Sequence, residues 1–188
     1  MKSLPLAVML LLSTPSLAEP SVTFTSLLEF DDVSDLRGWR SIDDRVMGGV
    51  SRSTLELSDD GFVRFSGILS LEQNGGFASV RSSPARWGLA GEAGLVLRVR
   101  GDGRIYKLSI RIDGRFDGVN YQVSFATEPG RWLDVHLPFS AFQPTYHGRL
   151  LRDVPPLNPA DIRQVGFLVS DKQEGFFQLD IDHVHSWR

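Results

Sequence analysis

Two glycine-rich stretches hold most of the side chains that could bind a ligand or carry out chemistry. Residues 39–51 contain the adjacent carboxylates Asp43 and Asp44 and a glycine pair, and residues 70–81 contain a second glycine pair. Paired glycines permit positive φ and close backbone approach, so we expect both stretches to be shaped turns flanked by strands. The predicted members of a ligand-binding or partner-binding site beside these turns are Asp43, Asp44, Arg45, Met47, Ser51, Asn74, Phe77 and Arg81.

The adjacent carboxylates invite an acid–base interpretation, because paired carboxylates carry out glycoside hydrolysis. Neighbouring residues in an extended segment point to opposite faces, however, so Asp43 and Asp44 are not expected to flank one bond. Asp43 and Arg45 share a side instead, and could form an ion pair that holds the loop. Three interpretations stay open: a structural pin, a ligand site, and a hydrolase that uses Asp43 or Asp44 with a distant histidine. We predict a protein that is not an enzyme and has no catalytic residue.

Other chemical motifs are weak. His183 and His185 share one face at strand spacing, which is the first step towards a metal site. Their phase matches Leu179 and Ile181, which predicts that His183 is a half-buried core residue. The chain has no cysteine, no HExxH motif and no G-x-S-x-G elbow, and its glycines at residues 101–103 lack the rest of a dinucleotide fingerprint. We therefore predict no metal and no cofactor.

Cations and tryptophans offer two further candidate surfaces. If their strands are neighbours, five outward-phase cations form a patch for an anionic or polyhydroxyl ligand or for an acidic partner surface. These cations are Arg81, Arg98, Arg100, Lys107 and Arg111. The alternative is a solvated sheet face. Sugar-stacking platforms could come from Trp39, Trp87, Trp132 and Trp187, although large aromatic side chains mostly fill cores.

The elements that must position these residues are strands. Apolar residues alternate with polar ones over residues 52–58 and 62–69, which predict a hairpin, and again over residues 95–100 and 106–112. The turns at Asn74-Gly75 and at residues 101–103 are further hairpin signals. About ten short strands and no long amphipathic helix predict an all-β fold, an antiparallel two-sheet β-sandwich of the jelly-roll type.

The first eighteen residues predict a secretory signal peptide. Lys2 supplies the positive start, residues 4–12 are apolar, and small residues at Ser16 and Ala18 predict cleavage after Ala18. The apolar run is too short for a stable membrane span, and an uncleaved anchor is the alternative. We therefore expect a periplasmic or secreted protein with one domain, residues 19–188, and no stable membrane span after cleavage.

Charge narrows the class of partner. The 188 residues carry 20 Lys and Arg against 23 Asp and Glu, a net charge of −3. Nucleic-acid binding needs a clustered basic face, and no such cluster stands out, so we predict no nucleic acid. The expected partner is a protein or a glycan, and the expected state is a monomer.

Several motifs resemble one known family. They are residues 42–51 (IDDRVMGGVS), Phe65-Ser66-Gly67, residues 71–81 (LEQNGGFASVR), Leu137-Pro138-Phe139 and Gly166-Phe167-Leu168. From Leu28 to Ile181 the chain resembles the complex I intermediate-associated protein 30 family. The resemblance implies a galactose-binding-like jelly roll and a non-catalytic role, since mitochondrial members assist assembly of NADH:ubiquinone oxidoreductase by holding intermediates. With the export signal, it predicts an exported accessory or assembly factor that binds a protein partner; a carbohydrate-binding module is the alternative.

Overall fold

The computed structural model describes residues 22–188. Its strands are β1 (Phe24–Glu29), β2 (Arg40–Ser41), β3 (Arg52–Leu57), β4 (Val63–Leu69), β5 (Ala78–Arg81), β6 (Gly94–Gly101), β7 (Ile105–Arg111), β8 (Asn120–Ala126), β9 (Trp132–Pro138), β10 (Gln143–Tyr146), β11 (Arg149–Leu150), β12 (Gln164–Val169) and β13 (Gly175–Trp187). Short 3₁₀ helices span Val33–Leu36, Asp44–Met47, Glu72–Asn74, Phe139–Ala141 and Pro159–Asp161. No helix in this range has the length and apolar character needed to cross a membrane. The predicted signal peptide lies outside the described residues.

The strands form two antiparallel sheets packed face to face. The first sheet has the order β3-β4-β13-β6-β9, with β1 paired to the C-terminal half of β13. The second sheet has the order β11-β10-β8-β7-β12-β5-β2. The hairpin predicted from residues 52–58 and 62–69 is present as the β3–β4 pair. The predicted all-β, antiparallel two-sheet sandwich is therefore confirmed.

The core lies between the sheets and follows the alternation in the sequence. On β7, Tyr106, Leu108 and Ile110 are buried, while the intervening side chains point away from the core. From the first sheet, Phe65 and Phe177 pack ring against ring, with centroids 5.0 Å apart. Burying a side chain of this size contributes about 1.5–3 kcal/mol, so this layer holds the two sheets together.

Two turns that were predicted to close hairpins within one sheet connect the two sheets. The turn at Gly101-Asp102-Gly103 joins β6 of the first sheet to β7 of the second, and the segment around Asn74-Gly75 joins β4 to β5. Asp102 stabilises the first turn, because its carboxylate accepts hydrogen bonds from the Arg104 N–H and the Tyr106 hydroxyl. The hairpin prediction is wrong at both places, since turn residues indicate a reversal but not the partner of the next strand.

A β-bulge in β13 changes which face of the sheet its side chains point to. The pairing of β13 with β6 shifts register between Ile181 and His183. Ile181 is buried on the inner face, and Val184, three residues later, is buried there too. The bulge adds one residue, so the side chains beyond it change sides. His183 and His185 therefore lie on the outer face. His183 is half-buried as predicted, but the prediction that it faces the core is wrong.

Candidate functional site

Asp44 is the centre of the first glycine-rich stretch. Its side chain is buried, with only 1% of the residue exposed. Oδ1 accepts a hydrogen bond from the Ser51 N–H at 2.9 Å, and Oδ2 accepts from the Ser51 hydroxyl at 2.5 Å and the Gly76 N–H at 2.7 Å. The Phe77 N–H adds a longer bond of 3.3 Å. One carboxylate thus joins the two stretches that the sequence singled out.

The paired glycines make room for this carboxylate. A Cβ on Gly49 would collide with the Asp44 carboxyl, and a Cβ on Gly75 would come within 2.6 Å of Asp44 Oδ2. Gly48 ends the Asp44–Met47 turn in the left-handed region, with φ of 92°, which favours glycine. The V-M-G-G-V-S and N-G-G-F motifs are therefore explained by close packing around one buried charge.

Asp43 forms a second, similar anchor. It accepts hydrogen bonds from the Ser53 N–H at 2.9 Å, the Ser53 hydroxyl at 2.6 Å and the Ser79 N–H at 3.0 Å. Burial raises the pKa of Asp43, although these hydrogen bonds oppose the shift. The expected ion pair with Arg45 is wrong: within the described residues Arg45 forms no salt bridge, and its side chain is exposed. The structural interpretation of Asp43 and Asp44 fits these contacts.

The hydrolase interpretation gains no support from the geometry. Both aspartates use their oxygens for internal hydrogen bonds, and within residues 22–188 no histidine lies within hydrogen-bond distance of either one. The histidines that bond to carboxylates are His147 with Asp117, His183 with Asp182 and His185 with Glu29. No acid–base pair therefore converges on the first glycine-rich stretch.

The buried anchors hold an exposed apolar surface. Val46 and Met47 lie on the turn above Asp44, and Met47 is 60% exposed. Val50 and Leu71 are also exposed, and Leu71 lies 3.2 Å from the Cβ position of Gly76, whose N–H binds Asp44. We call Val46, Met47, Val50 and Leu71 the apolar tip. Asn74 is exposed in the neighbouring turn with a positive φ of 60°.

The predicted patch of five cations is divided between the two sheets. Arg98 and Arg100 lie on β6 of the first sheet, whereas Arg81, Lys107 and Arg111 lie on the second. A single patch of five is therefore wrong, because the turn after β6 leads into the opposite sheet. Three cations still share the outer side of the second sheet, which we call the cationic face, together with Gln164 and Asn120.

The cationic face contains buried polar atoms without partners. Arg111 is only 8% exposed, and its Nε and Nη1 have no hydrogen-bond partner among residues 22–188. Gln164 is its register partner on β12, and the Oε1 of Gln164 is also unpartnered, as is Oδ1 of Asn120. Burial and the nearby charges of Arg111 and Arg40 lower the pKa of Arg81 to about 10. Unsatisfied buried groups are rare in folded proteins, so this surface is a candidate ligand site.

On the outer side of the first sheet, the charged residues around Asp180 pair with one another. Asp180 of β13 is fully buried and accepts hydrogen bonds from Arg64 Nε at 2.7 Å and Arg100 Nη2 at 2.8 Å. The Arg100 guanidinium also lies 4.7 Å from the ring centre of Trp132 and 5.0 Å from that of Phe62. Asp180 was missed by the sequence analysis, because its arginine partners are 116 and 80 residues away.

Two of the four tryptophans pack against the core, and two lie outside it. Trp39 stacks on Phe167, and the Trp87 indole donates to the carbonyl of Arg163, so both are half-buried against the core. Trp132 lies on the outer side of the first sheet, and Trp187 contacts His136 edge-on. The expectation that large aromatic side chains fill the core therefore holds for two of the four.

These features describe an antiparallel two-sheet β-sandwich of the jelly-roll type, a fold that solved carbohydrate-binding modules also have. The family 11 carbohydrate-binding module of the cellulosomal cellulase Lic26A-Cel5E of Clostridium thermocellum matches with a TM-score of 0.64, over 88% of this chain and 95% of that chain. Sequence identity is 17%, so the likeness concerns the fold alone. It confirms the predicted galactose-binding-like jelly roll.

The chain belongs to the complex I intermediate-associated protein 30 family, whose model matches residues 28–181. The mouse (Mus musculus) protein named "Complex I intermediate-associated protein 30, mitochondrial" is 33% identical over 177 residues, covering 83% of this chain and 54% of the relative. The Drosophila melanogaster protein of the same name is 30% identical over 159 residues, covering 72% of this chain and 53% of that relative. The chain thus spans about half the length of these curated relatives. The predicted family resemblance is confirmed.

The comparisons also correct one expectation. The relatives from mouse and Drosophila carry the word mitochondrial in their names, which contradicts the predicted periplasmic or secreted location. That prediction is therefore wrong. Its physical basis was the apolar start of the chain, which lies outside the described residues.

Proposed function

We propose that this chain is a non-catalytic binding domain of an accessory or assembly factor, and that it holds a protein partner through the apolar tip. The supporting observation is that large apolar side chains are displayed on a turn whose base is fixed by the buried Asp44. Clustered exposed apolar residues are typical of interaction sites. A pre-ordered loop loses little conformational entropy on binding, which favours affinity.

The family supports the class of partner. Relatives are named as associated with complex I intermediates, and such intermediates are protein assemblies. Methionine is enriched in the cores of protein interfaces, where charged residues are depleted. Val46 and Met47, with the exposed Arg45 next to them in the chain, fit an apolar contact that has a charged rim.

Charge introduced at the apolar tip is expected to abolish partner capture. Val46→Asp with Met47→Asp should lower capture of complex I subunits by the immobilised chain at least tenfold, because a carboxylate would be buried in an apolar contact. Solubilised assembly intermediates from the organism that encodes the chain are the probe, and bound subunits are quantified by mass spectrometry. The free energy of unfolding should change by less than about 0.5 kcal/mol, since these side chains are exposed.

The matched control is Leu150→Asp. Leu150 is 57% exposed on β11, at the edge of the second sheet opposite to β5 and β2, so its replacement should leave capture intact. Equal capture by the tip variant and the unmodified chain would show that the surface is elsewhere. Failure of the unmodified chain to enrich any complex I subunit over a blank matrix would reject the assembly role.

Glycan binding is a second candidate, suggested by the cationic face. That face leaves donors on Arg111 and acceptors on Gln164 and Asn120 unpartnered, and sugar hydroxyls both donate and accept hydrogen bonds. A solved structure with a similar fold is the family 11 carbohydrate-binding module from Clostridium thermocellum in complex with a β-1,3-1,4-mixed-linked tetrasaccharide, with a TM-score of 0.61 and 17% sequence identity. The match covers 84% of this chain and 93% of that module.

If the cationic face binds glycans, Arg111→Met should remove binding without loss of stability. Methionine keeps the volume of the stem, and removing a buried, unpartnered guanidinium is expected to be neutral or stabilising. Affinity electrophoresis in β-1,3-1,4-glucan and a glycan array measure binding; Arg98→Ala, on the opposite sheet, is the control. Absence of binding to every glycan by the unmodified chain would discard this candidate.

A further inference from the structure

Two β-bulges bring a carboxylate and two imidazoles together on the outer side of the first sheet. The bulge in β13 turns His183 and His185 outward, as described above. A second irregularity lies in β1, between Ser26 and Leu28, and it places Glu29 directly opposite His183 in the ladder. Bulges often occur beside functional sites, where they re-aim side chains. We call Glu29, His183 and His185 the histidine cluster.

The spacing of the histidine cluster suits a metal ion. One ligand atom from each residue lies within 4.8 Å of the other two, and Glu29 Oε1 is 2.7 Å from His185 Nε2. The two imidazole rings stack with centroids 4.0 Å apart and an angle of 18°, so the two histidines lie side by side on this surface. With metal–ligand bonds of roughly 2.1 Å, tetrahedral ligand atoms stand about 3.4 Å apart, a value that lies between the 2.7 Å of the Glu29–His185 pair and the 4.8 Å limit for all three atoms.

Neighbouring groups hold two of the ligands in orientation. His183 Nδ1 lies 2.9 Å from Asp182 Oδ2, an arrangement that places the proton on Nδ1 and leaves the Nε2 lone pair free. A carboxylate behind a histidine is a frequent outer partner of zinc ligands. The Ser26 hydroxyl donates to Glu29 Oε1 at 2.6 Å and fixes that carboxylate.

The electrostatic surroundings also permit a cation. Arg98 is the register partner of His183 on β6, but its guanidinium pairs with Asp134 at 3.1 Å. Asp182 adds a negative charge beside the cluster. The Glu29 side chain is 44% exposed and those of both histidines 25% exposed, so an ion can enter from solvent and keep an open coordination position.

We propose that Glu29, His183 and His185 form a binding site for a divalent first-row transition-metal ion such as Zn²⁺. Two histidines and one glutamate are a known zinc ligand set that leaves a fourth position for water or an external ligand. Because Glu29 lies on β1 and both histidines lie on β13, the ion ties these two strands together. The site is independent of the apolar tip, and it adds a metal to a chain in which the sequence predicted none.

Calorimetric titration of the full chain with Zn²⁺ tests the proposal. We expect one ion per chain and at least a 100-fold loss of affinity in His183→Ala and His185→Ala. His147→Ala, whose histidine pairs with Asp117 on another part of the surface, should bind as the unmodified chain does. Zn²⁺ should also raise the melting temperature, and EDTA should reverse the rise.

Glu29→Gln keeps the test decisive if a histidine variant fails to fold. Glutamine preserves the side-chain length and a hydrogen-bond acceptor, so the variant should fold and bind Zn²⁺ at least tenfold more weakly. Cobalt(II) provides a second readout, because visible absorption bands report four or five ligands, and they should disappear with His185→Ala. Zinc binding that is absent, substoichiometric, or equal in all these variants would show that the cluster is only a hydrogen-bonded Glu–His pair.

Discussion

Replacing Asp44 by alanine is expected to lower the free energy of unfolding by about 4 kcal/mol. The change removes a buried carboxylate that accepts hydrogen bonds from the Ser51 N–H, the Ser51 hydroxyl and the Gly76 N–H. The Ser51 and Gly76 N–H groups would lose their acceptor, and each unsatisfied group costs about 1–3 kcal/mol, whereas the Ser51 hydroxyl can still donate to the Ser70 carbonyl oxygen 3.3 Å away. Urea denaturation followed by circular dichroism measures the loss, and the melting temperature should fall by roughly 8–16 °C.

Two further variants serve as comparisons for Asp44→Ala. Asp60→Ala removes an exposed carboxylate from the turn between β3 and β4, and should change the unfolding free energy by less than about 0.5 kcal/mol. Asp44→Asn keeps one acceptor oxygen and should fall between the two. A loss below about 1 kcal/mol for Asp44→Ala would mean that water replaces the carboxylate, and the apolar tip would then have no rigid base.

The second large effect is expected where Asp180 is buried between two arginines. Replacing both Arg64 and Arg100 by alanine leaves this fully buried carboxylate without a cation, at an expected cost of about 3–5 kcal/mol. The guanidiniums themselves are partly exposed, so the cost comes from the carboxylate. Denaturant titration of the double variant measures it.

A compensated variant separates charge from packing. Arg64→Met, Arg100→Met and Asp180→Leu together remove all three charges, and should restore most of the lost stability, because apolar groups of similar volume replace a buried ionic set at little cost. Arg98→Ala is the control, since Arg98 pairs with an exposed Asp134 and such pairs contribute less than about 1 kcal/mol. If the compensated variant were as unstable as the double variant, the loss would come from packing against Phe62 and Trp132.

The fold was predictable from the sequence because its main determinant is local. Alternation of Tyr106, Leu108 and Ile110 with polar residues identifies an inner and an outer face without knowledge of the partner strand. Pairing between strands is not local. The glycines of Gly101-Asp102-Gly103 therefore predicted the chain reversal correctly, but the prediction that the two flanking strands pair as a hairpin is wrong. The division of Arg98 and Arg100 from Lys107 and Arg111 follows from that one crossing between sheets.

The candidate sites were less predictable, because they depend on distant contacts and on one inserted residue. The glycine-rich stretches were recognisable, and Asp44 contacts both of them across 32 residues of sequence. Nothing in the spacing of Asp43, Asp44 and Arg45 showed that serine and backbone N–H groups, rather than Arg45, would bind the carboxylates. The bulge before His183 reverses an otherwise regular pattern, so the histidine cluster is visible only in three dimensions.

The place of β13 has a consequence for biosynthesis. This strand lies between β4 and β6 in the first sheet and also pairs with β1, although it is the last strand of the domain to be translated. Until it leaves the ribosome, β4 and β6 each expose an unpaired edge, and unpaired edges favour aggregation. The nascent chain therefore completes its sandwich only after β13 has been synthesised, and until then the first sheet is divided into two separate parts, β3–β4 and β6–β9.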